Sequence, residues 1–168
     1  TYHITDDLTI ADGDTLYLDA GTQFLFDGEY DFNIYGTLKA IGTETDSIIF
    51  DNYVDTLRWK GFTLENVLEE TEFRYVKISG AKKKEYIPGG GMYLFSSDPI
   101  LSHMTITNCM SSDSSGGGMH LDNSNPTLTN VTISNNTANR YGGGMYLFYS
   151  NPNLTHVTIE NNTLENYY

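Results

Sequence analysis

The chain has 168 residues, a length that suits one compact domain with a buried core. Its 9 Lys and Arg residues against 22 Asp and Glu residues give a formal net charge of -13, which repels phosphate backbones and anionic membrane surfaces. We therefore expect no nucleic-acid partner. The single cysteine, Cys109, rules out an intrachain disulfide and a cysteine-based metal site, and the absence of a long apolar run argues against membrane insertion.

The first half of the chain contains short runs in which apolar and polar residues alternate. The segments LTIADGDTLYLDAGTQFLF (8–26) and GTLKAIGTETDSIIF (36–50) have this pattern, with Gly and Asp between the runs. The pattern is typical of half-buried strands joined by tight turns. The segment FRYVKISGA (73–81) aligns with LTNVTISNN (128–136), which predicts a further strand-rich unit there. The three lysines at 82–84, beside Glu85, are predicted to be a solvated loop with no role.

A repeat dominates the second half. The heptapeptide GGGMYLF occurs at 89–95 and 142–148, and the near-copy GGGMHLD lies between them at 116–122. The three methionines of these motifs are 27 and 26 residues apart, and the prolines that follow each motif keep the same spacing. A period of this size is typical of solenoids, in which each repeat packs only on its neighbours.

Each repeat predicts three short strands with Gly, Pro and Asn at the corners, and no segment shows a helical apolar stripe. The sequence therefore predicts an all-β fold, a single-stranded parallel β-helix with three parallel sheets around one apolar interior. We expect one domain over 1–168, with irregular coils over 1–88 and regular GGGM repeats over 89–168. About six or seven coils would make a rod roughly 30 Å long.

The repeats resemble those of a known class. The GGGM motif, followed by Ile133-x-x-Asn136 and Ile159-x-x-Asn162, is similar to the paired GGA[I/L] and FxxN motifs of polymorphic outer-membrane protein repeats, with Ile in place of Phe. More broadly, these repeats and the WKGF segment (59–62) resemble right-handed β-helix proteins of the pectate-lyase-like class. The resemblance implies right-handed coiling and a bacterial secreted or cell-surface protein. Because the last repeat has no recognisable cap, we expect the chain to be a fragment of a larger protein.

Strand alternation predicts which side chains point inward and which residues stack at the corners. The inward residues are expected to be Met92, Leu94, Met119, Leu121, Val131, Ile133, Met145 and Leu147.

Two asparagine columns are predicted to form amide ladders from coil to coil: Asn108, Asn135 and Asn161, and Asn136 and Asn162. Two alternatives for the Asn-rich turns stay open. They are glycan attachment at the sequons of Asn130, Asn135, Asn153 and Asn161, and calcium binding by the Asp, Asn and Ser turns. No other cofactor or metal site is expected.

The outward positions of the GGGM strands form two columns with unusual chemistry. One column contains Tyr93, His120 and Tyr146, and the next contains Phe95, Asp122 and Phe148. Aromatic side chains clustered on an exposed face mark contact surfaces, so these six residues are the candidate ligand-binding residues, suited to an extended ligand along the rod. The alternative is that a segment of the same chain, either the 81–88 loop or the Tyr-rich tail, covers this face.

The sequence identifies no catalytic residues. Lyase chemistry needs a base beside a group that neutralises the substrate carboxylate, and hydrolases need converging carboxylates. Among the candidate residues, only His120 and Asp122 share a face.

We therefore expect a secreted or cell-surface domain with a structural, adhesive or carbohydrate-binding role. Its partner would be a polysaccharide or a host or cell-surface molecule. The alternative function is a polysaccharide-degrading enzyme, either a lyase or a glycoside hydrolase. We also expect either end-to-end self-association or continuation into further domains.

Overall fold

Short strands make up the fold, which we describe from a computed structural model over residues 1–54, 56–84 and 86–165. In chain order the strands are β1 (Tyr2–Ile4), β2 (Leu8–Ile10), β3 (Thr15–Leu18), β4 (Gln23–Phe26), β5 (Phe32–Ile34), β6 (Thr37–Ile41), β7 (Ile48–Asn52), β8 (Phe62–Glu65), β9 (Glu72–Ser79), β10 (Lys82–Lys83), β11 (Met92–Phe95), β12 (Ile100–Thr107), β13 (Met110–Ser111), β14 (Met119–Asp122), β15 (Thr127–Ser134), β16 (Thr137–Ala138), β17 (Met145–Phe148), β18 (Asn153–Thr155), β19 (Thr158–Glu160) and β20 (Thr163–Leu164).

The strands stack in three sheets in which successive coils pair in parallel. Sheet A has 10 strands, among them the path β1-β4-β7-β9-β12-β15-β18. Sheet B has 6 strands, in the order β2-β5-β8-β11-β14-β17, and sheet C has 4, in the order β10-β13-β16-β20. Each coil gives one strand to sheet B, so the described chain forms six coils. The predicted all-β parallel β-helix of about six or seven coils is confirmed.

The repeats stack in phase. In sheet B, Met92 pairs with Met119 and Met119 with Met145, so each GGGM motif lies directly on the next. In sheet A, Leu101 pairs with Leu128 and Leu128 with Leu154. A slip of one residue would turn every apolar side chain outward, so the buried pattern specifies this register strongly.

The division into strands differs from the prediction at one corner. The second and third predicted strands of each coil join into one eight-residue strand, β9, β12 or β15, in sheet A. Each bends at a residue with a left-handed backbone: Tyr75 (φ 51°), His103 (φ 51°) or Asn130 (φ 55°). One such residue turns the chain, and strand pairing resumes at the next residue. The third sheet consists of the two-residue strands of sheet C, which the sequence pattern did not predict.

The interior changes from aromatic in the first coils to aliphatic in the repeats. Trp59 is fully buried; its ring stacks on Phe26 at 4.4 Å and its Nε1 donates to the Ser79 carbonyl at 2.8 Å. In the repeats, the predicted inward residues Met92, Leu94, Met119, Leu121, Val131 and Ile133 are buried, which confirms the alternation. Met145 is partly buried against the core, whereas Leu147 is 43% exposed because β17 is the edge strand of sheet B.

The glycine triplets occupy a corner where backbones approach closely. A Cβ on Gly117 would lie 2.3 Å from the carbonyl oxygens of both Gly143 and Thr137, a distance that no side chain tolerates. Gly116, just before it, has a φ of +72°, in the left-handed region that favours glycine. The repeated triplet is therefore a structural corner that only glycine fits.

One of the two predicted asparagine columns makes hydrogen bonds from coil to coil. Asn136 is fully buried; its Oδ1 accepts the Cys109 N–H at 2.9 Å, and its Nδ2 donates to the Ile106 carbonyl at 3.0 Å. Asn162 repeats the pattern, since its Oδ1 accepts the Asn136 N–H at 2.9 Å. The residues of the other column, Asn108, Asn135 and Asn161, lie at exposed corners with φ of 55°, 57° and 54°. Left-handed geometry, which Asn tolerates well, accounts for asparagine at these corners.

A second ladder, of serines, lies at the corner before each proline. The Ser97 Oγ accepts the Val67 N–H at 3.1 Å, the Ser124 Oγ accepts the Ser97 N–H at 2.9 Å, and the Ser150 Oγ accepts the Ser124 N–H at 2.9 Å. Sequence analysis missed this ladder, although the serines recur in SSDP, NSNP and YSNP. Both ladders satisfy backbone donors where the chain leaves a sheet.

We expect Asn136→Ala to lower the free energy of unfolding by about 2–4 kcal/mol, because it leaves a buried N–H and a buried carbonyl without their partner. The matched control is Asn135→Gly, at a neighbouring exposed position whose left-handed φ suits glycine. Urea denaturation followed by circular dichroism gives both values. Equal midpoints for the two variants would contradict a stabilising ladder.

Candidate functional site

The candidate residues lie in two adjacent outward columns of sheet B. Strand pairing places Thr63, Tyr93, His120 and Tyr146 in one column, and Glu65, Phe95, Asp122 and Phe148 in the other. The structure therefore brings together on one face the six residues that the sequence identified as candidates.

The rings of this face form a continuous series, which we call the aromatic row: Phe95, Tyr93, His120, Tyr146 and Tyr141. The ring centroids of Phe95 and Tyr93 are 6.4 Å apart, and those of Tyr93 and His120 are 5.5 Å apart. The series continues from His120 to Tyr146 at 5.0 Å and from Tyr146 to Tyr141 at 5.7 Å. Each spacing falls in the range of favourable aromatic pairs, so the rings hold one another in place across three coils.

His120 differs from expectation because its side chain is buried. It is only 8% exposed, since Tyr93 and Tyr146 flank it and its Nδ1 lies 3.4 Å from the Ser115 carbonyl. The ends of the row are open: Phe95 is 37% and Tyr141 61% exposed. His120 is thus the centre of the row and supports its neighbours, while the tyrosines and Phe95 offer the accessible surface.

The row is uncharged at neutral pH and has carboxylates beside it. Burial lowers the pKa of His120 below its usual 6.5, against the opposing effects of the Ser115 carbonyl and Asp122. Burial also raises the pKa of the Tyr93 hydroxyl, and the negative charges of Asp122 and Glu65 raise it further. The result is an uncharged aromatic surface with hydroxyl groups and carboxylate acceptors beside it.

The described part of the 81–88 loop leaves part of this face open. In that loop, the Tyr86 ring centroid lies 5.3 Å from the Arg140 guanidinium, and Tyr86 itself is 71% exposed. Phe95, Tyr141 and Phe148 stay exposed with residues 86–88 in place. Glu85 of that loop and the tail residues 166–168 lie outside the described residues.

Sequence analysis missed two aromatic residues at the edge of this face. Tyr141 directly precedes a glycine triplet, at the position of Ser115 in the preceding repeat, and Tyr149 directly follows Phe148, whose ring it contacts at 4.4 Å. Both positions belong to the repeat and could have been found by extending each column by one residue on either side of the motif.

A polar cleft of about 230 Å³ lies beside the aromatic row. Its lining contains Glu29, Asp31, Lys60, Lys82, Lys83, Lys84 and Ile87. The Lys60 Nζ donates to Asp31 at 2.9 Å, and the Lys84 Nζ donates to Glu29 at 2.5 Å. The Lys83 Nζ donates to the Thr63 Oγ1 at 2.8 Å and lies 3.7 Å from Asp31. Thr63 belongs to the same column as Tyr93, so Lys83 connects the cleft to this column of sheet B.

The prediction that residues 82–84 form a solvated loop is wrong for Lys82 and Lys83, which form strand β10, and Lys83 is also buried. Its side chain is 1% exposed, and it takes the position that the buried Ser111 and Ala138 occupy in the next coils. Burial lowers the pKa of the Lys83 ammonium to about 8, which Asp31 only partly offsets. The chain therefore holds a desolvated amine at the wall of this cleft.

We next consider metal binding, nucleophilic chemistry and glycan attachment in the part of the chain that the structure describes. Over those residues, no group of three or more His, Cys, Asp or Glu side chains could hold a metal ion. Burial raises the pKa of the Cys109 thiol to about 12, so it is a core residue and not a nucleophile at neutral pH. The sequon residues Asn130, Asn135, Asn153 and Asn161 are all exposed.

Comparison with known proteins gives one match. The family model described as the right-handed beta helix region matches residues 60–168. Searches of curated proteins and of solved structures found no match. Among the described residues, the structure has no helix that is long and apolar enough to cross a membrane.

We expect Lys83→Met to change how stability depends on pH. Because burial lowers the pKa of Lys83 from 10.5 to about 8, the unfolded chain binds more protons than the folded chain between these values. The contribution of Lys83 to the free energy of unfolding therefore rises by about 3 kcal/mol as the pH rises through this window, and Met cannot reproduce the rise. The measurement is urea denaturation of both proteins from pH 7 to 10.5.

The control is Lys77→Met, which removes an exposed lysine of sheet A. Its stability difference from the wild type should stay constant across this pH range. A constant difference for Lys83→Met as well would contradict the desolvated amine.

Proposed function

Because the chain belongs to the right-handed β-helix family, and because one of its faces carries the aromatic row, we propose that it is a carbohydrate-binding domain with a structural or adhesive role outside the cell. The observation that carries the proposal is the unbroken series of five rings, spaced at 5.0 to 6.4 Å over three coils. Its ligand is a polysaccharide that lies along the axis of the rod.

The chemistry of the row suits a sugar chain. Sugar rings have an apolar face of C–H groups, which packs on flat aromatic surfaces, and hydroxyl groups around the edge, which need hydrogen-bond partners. Tyrosine supplies both an apolar ring and a polar hydroxyl. Asp122 and Glu65, which lie in the column beside the tyrosines, supply acceptors for sugar hydroxyls.

The dimensions of the row agree with an extended ligand. Tyr93 and Tyr146 lie two strands apart in sheet B, about 10 Å at the usual strand spacing. The rings that contact one another restrict one another's rotation, so binding orders few additional side chains. An elongated, uncharged row of rings favours a linear chain of neutral sugars over a compact ligand.

The row itself carries no charge, and the chain has a net charge of -13, which disfavours a strongly anionic polysaccharide. The finer resemblances to polymorphic outer-membrane protein repeats and to pectate-lyase-like proteins stay predictions. A secreted or cell-surface location also stays a prediction, which fractionation of the producing cells would test.

We expect the double variant Tyr93→Ala/Tyr146→Ala to lower the affinity for a bound polysaccharide at least about 10-fold, because it removes two of the stacking surfaces. A panel of immobilised neutral and acidic polysaccharides, read for bound protein and for released sugar ends, identifies the ligand first. The matched control is Tyr17→Ala, which removes a tyrosine of β3 that is 73% exposed on another sheet.

Unchanged affinity in the double variant, with an unchanged circular dichroism spectrum, would contradict binding at the aromatic row. Release of sugar ends by the wild-type chain would show turnover, and the binding-domain proposal would give way to a polysaccharide-degrading enzyme.

A further inference from the structure

The polar cleft concentrates positive charge in a chain that is acidic overall. The chain has 9 Lys and Arg residues and a formal net charge of -13. Four of those nine residues line the cleft, and the described lining contains only two carboxylates, Glu29 and Asp31. Exposed charges more than about 8–10 Å away are largely screened at physiological ionic strength. The lysines therefore make the potential inside the cleft positive.

The two carboxylates satisfy only part of the hydrogen-bonding capacity of these lysines. Asp31 is shared between Lys60 at 2.9 Å and Lys83 at 3.7 Å, and Glu29 pairs with Lys84. Each ammonium group has three N–H donors and no acceptor, so these pairs leave further donors in the cleft. An excess of donors together with an excess of positive charge favours a ligand that accepts hydrogen bonds and is negatively charged.

The buried lysine of the cleft has an incomplete set of partners. The Lys83 side chain is 1% exposed, and its Nζ donates to the Thr63 Oγ1 at 2.8 Å and lies 3.7 Å from Asp31. A buried ammonium group is costly unless a close counter-charge compensates for the lost water. Here burial outweighs the attraction of Asp31 and lowers the pKa of Lys83 to about 8. An anion in the cleft would supply the missing counter-charge.

The positive surface continues past the cleft through Lys82. This lysine also lines a neighbouring groove of about 430 Å³, whose described lining contains Arg58 and no carboxylate. The Arg58 Nη1 donates to the Asn108 carbonyl at 3.1 Å, which holds the guanidinium at the wall of the groove. No described carboxylate forms a salt bridge with Lys82. Its ammonium group is therefore available to a ligand in the cleft.

We infer that the cleft is a binding site for a small oxyanion, namely a carboxylate, sulfate or phosphate group, held by Lys60, Lys82 and Lys84 with Lys83 at the inner wall. The cleft volume of about 230 Å³ is below the roughly 300–1,000 Å³ of sites for drug-sized ligands, and accommodates such a group or a small acid that carries it. The inference goes beyond the proposed function and does not depend on it, because no residue of the aromatic row lines the cleft.

The test is a titration of the uniformly ¹⁵N-labelled full chain, followed by amide chemical shifts. The anionic probes are sodium sulfate, sodium phosphate, sodium acetate and sodium glucuronate. The controls are methyl β-glucoside, which is neutral, and sodium chloride at matched ionic strength. We expect at least one oxyanion to cause saturable shift changes at the amides of residues 29–31, 60, 82–84 and 86–87, with a dissociation constant of about 0.1 to 10 mM.

The same titrations distinguish two sources of the oxyanion. Tighter binding of glucuronate than of acetate would assign the site to the acidic group of a sugar. Tighter binding of sulfate or phosphate than of both carboxylates would assign it to a free inorganic anion or to an ester of that anion.

Two variants should change the affinity in opposite directions. Lys82→Met/Lys84→Met should weaken oxyanion binding at least about 10-fold, because it removes two of the positive charges. The residue that pairs with Lys82 in the next coil is Met110, and Lys84 is about half exposed, so the fold should tolerate both changes. Glu29→Gln should strengthen binding about 3-fold, because it removes a carboxylate that repels the anion.

Lys77→Met, which removes an exposed lysine of sheet A, is the matched control and should leave the affinity unchanged. Tyr93→Ala/Tyr146→Ala should also leave oxyanion binding unchanged, whatever its effect on a polysaccharide. Failure of the polysaccharide proposal would therefore leave this site standing.

Three results would overturn the oxyanion site. The first is no saturable shift change in the cleft with any anionic probe, and the second is an equal change with chloride at the same ionic strength. The third is weaker binding in Glu29→Gln with unchanged binding in the lysine variant, since this would show that the carboxylate and not the lysines holds the ligand.

Discussion

Hydrogen bonding between the backbones of successive coils is the constraint on which the rest of this structure depends. It fixes a parallel register in which Met92 lies on Met119 and Met119 on Met145. Because side chains alternate along a strand, this register turns each position of the repeat into a column with a single environment. Each column therefore lies in the core, at a corner or on the surface. A residue that does not suit this environment also affects the residues of the same column in the two adjacent coils.

At the corners, the same register also provides hydrogen-bond partners for backbone groups that lie beyond the ends of the strands. Backbone N–H groups beyond the end of a strand have no partner in a neighbouring strand. A buried N–H group without a partner lowers the stability of the fold. Asn136 and Ser124 accept such donors from the preceding coil, and the next coil does the same for them. The repeat thus carries its own hydrogen-bond partners, which explains why small polar residues recur in phase with the apolar ones.

The candidate site lies where stacked columns contain residues that differ from the equivalent residues of the other coils. The aromatic row follows directly from the outward columns of sheet B, but its centre is His120, where the neighbouring repeats have tyrosine. The cleft depends on Lys83, at a position that is Ser111 and Ala138 in the next coils. Both features therefore depend on residues that break the repeat as well as on the register that stacks it.

The sequence by itself determined the period, the parallel β-helix and the membership of the core and aromatic columns, because strand alternation and a fixed repeat place equivalent residues on one another. Tertiary structure alone decided the rest. The burial of His120 depends on Ser115 and on rings from two other coils, and the position of Lys83 depends on Thr63 of its own coil and on Asp31 of an earlier coil. The merging of two predicted strands at Tyr75, His103 and Asn130 depends on pairing on both sides of a single bend. Such contacts join coils of different sequence, where no period carries the information.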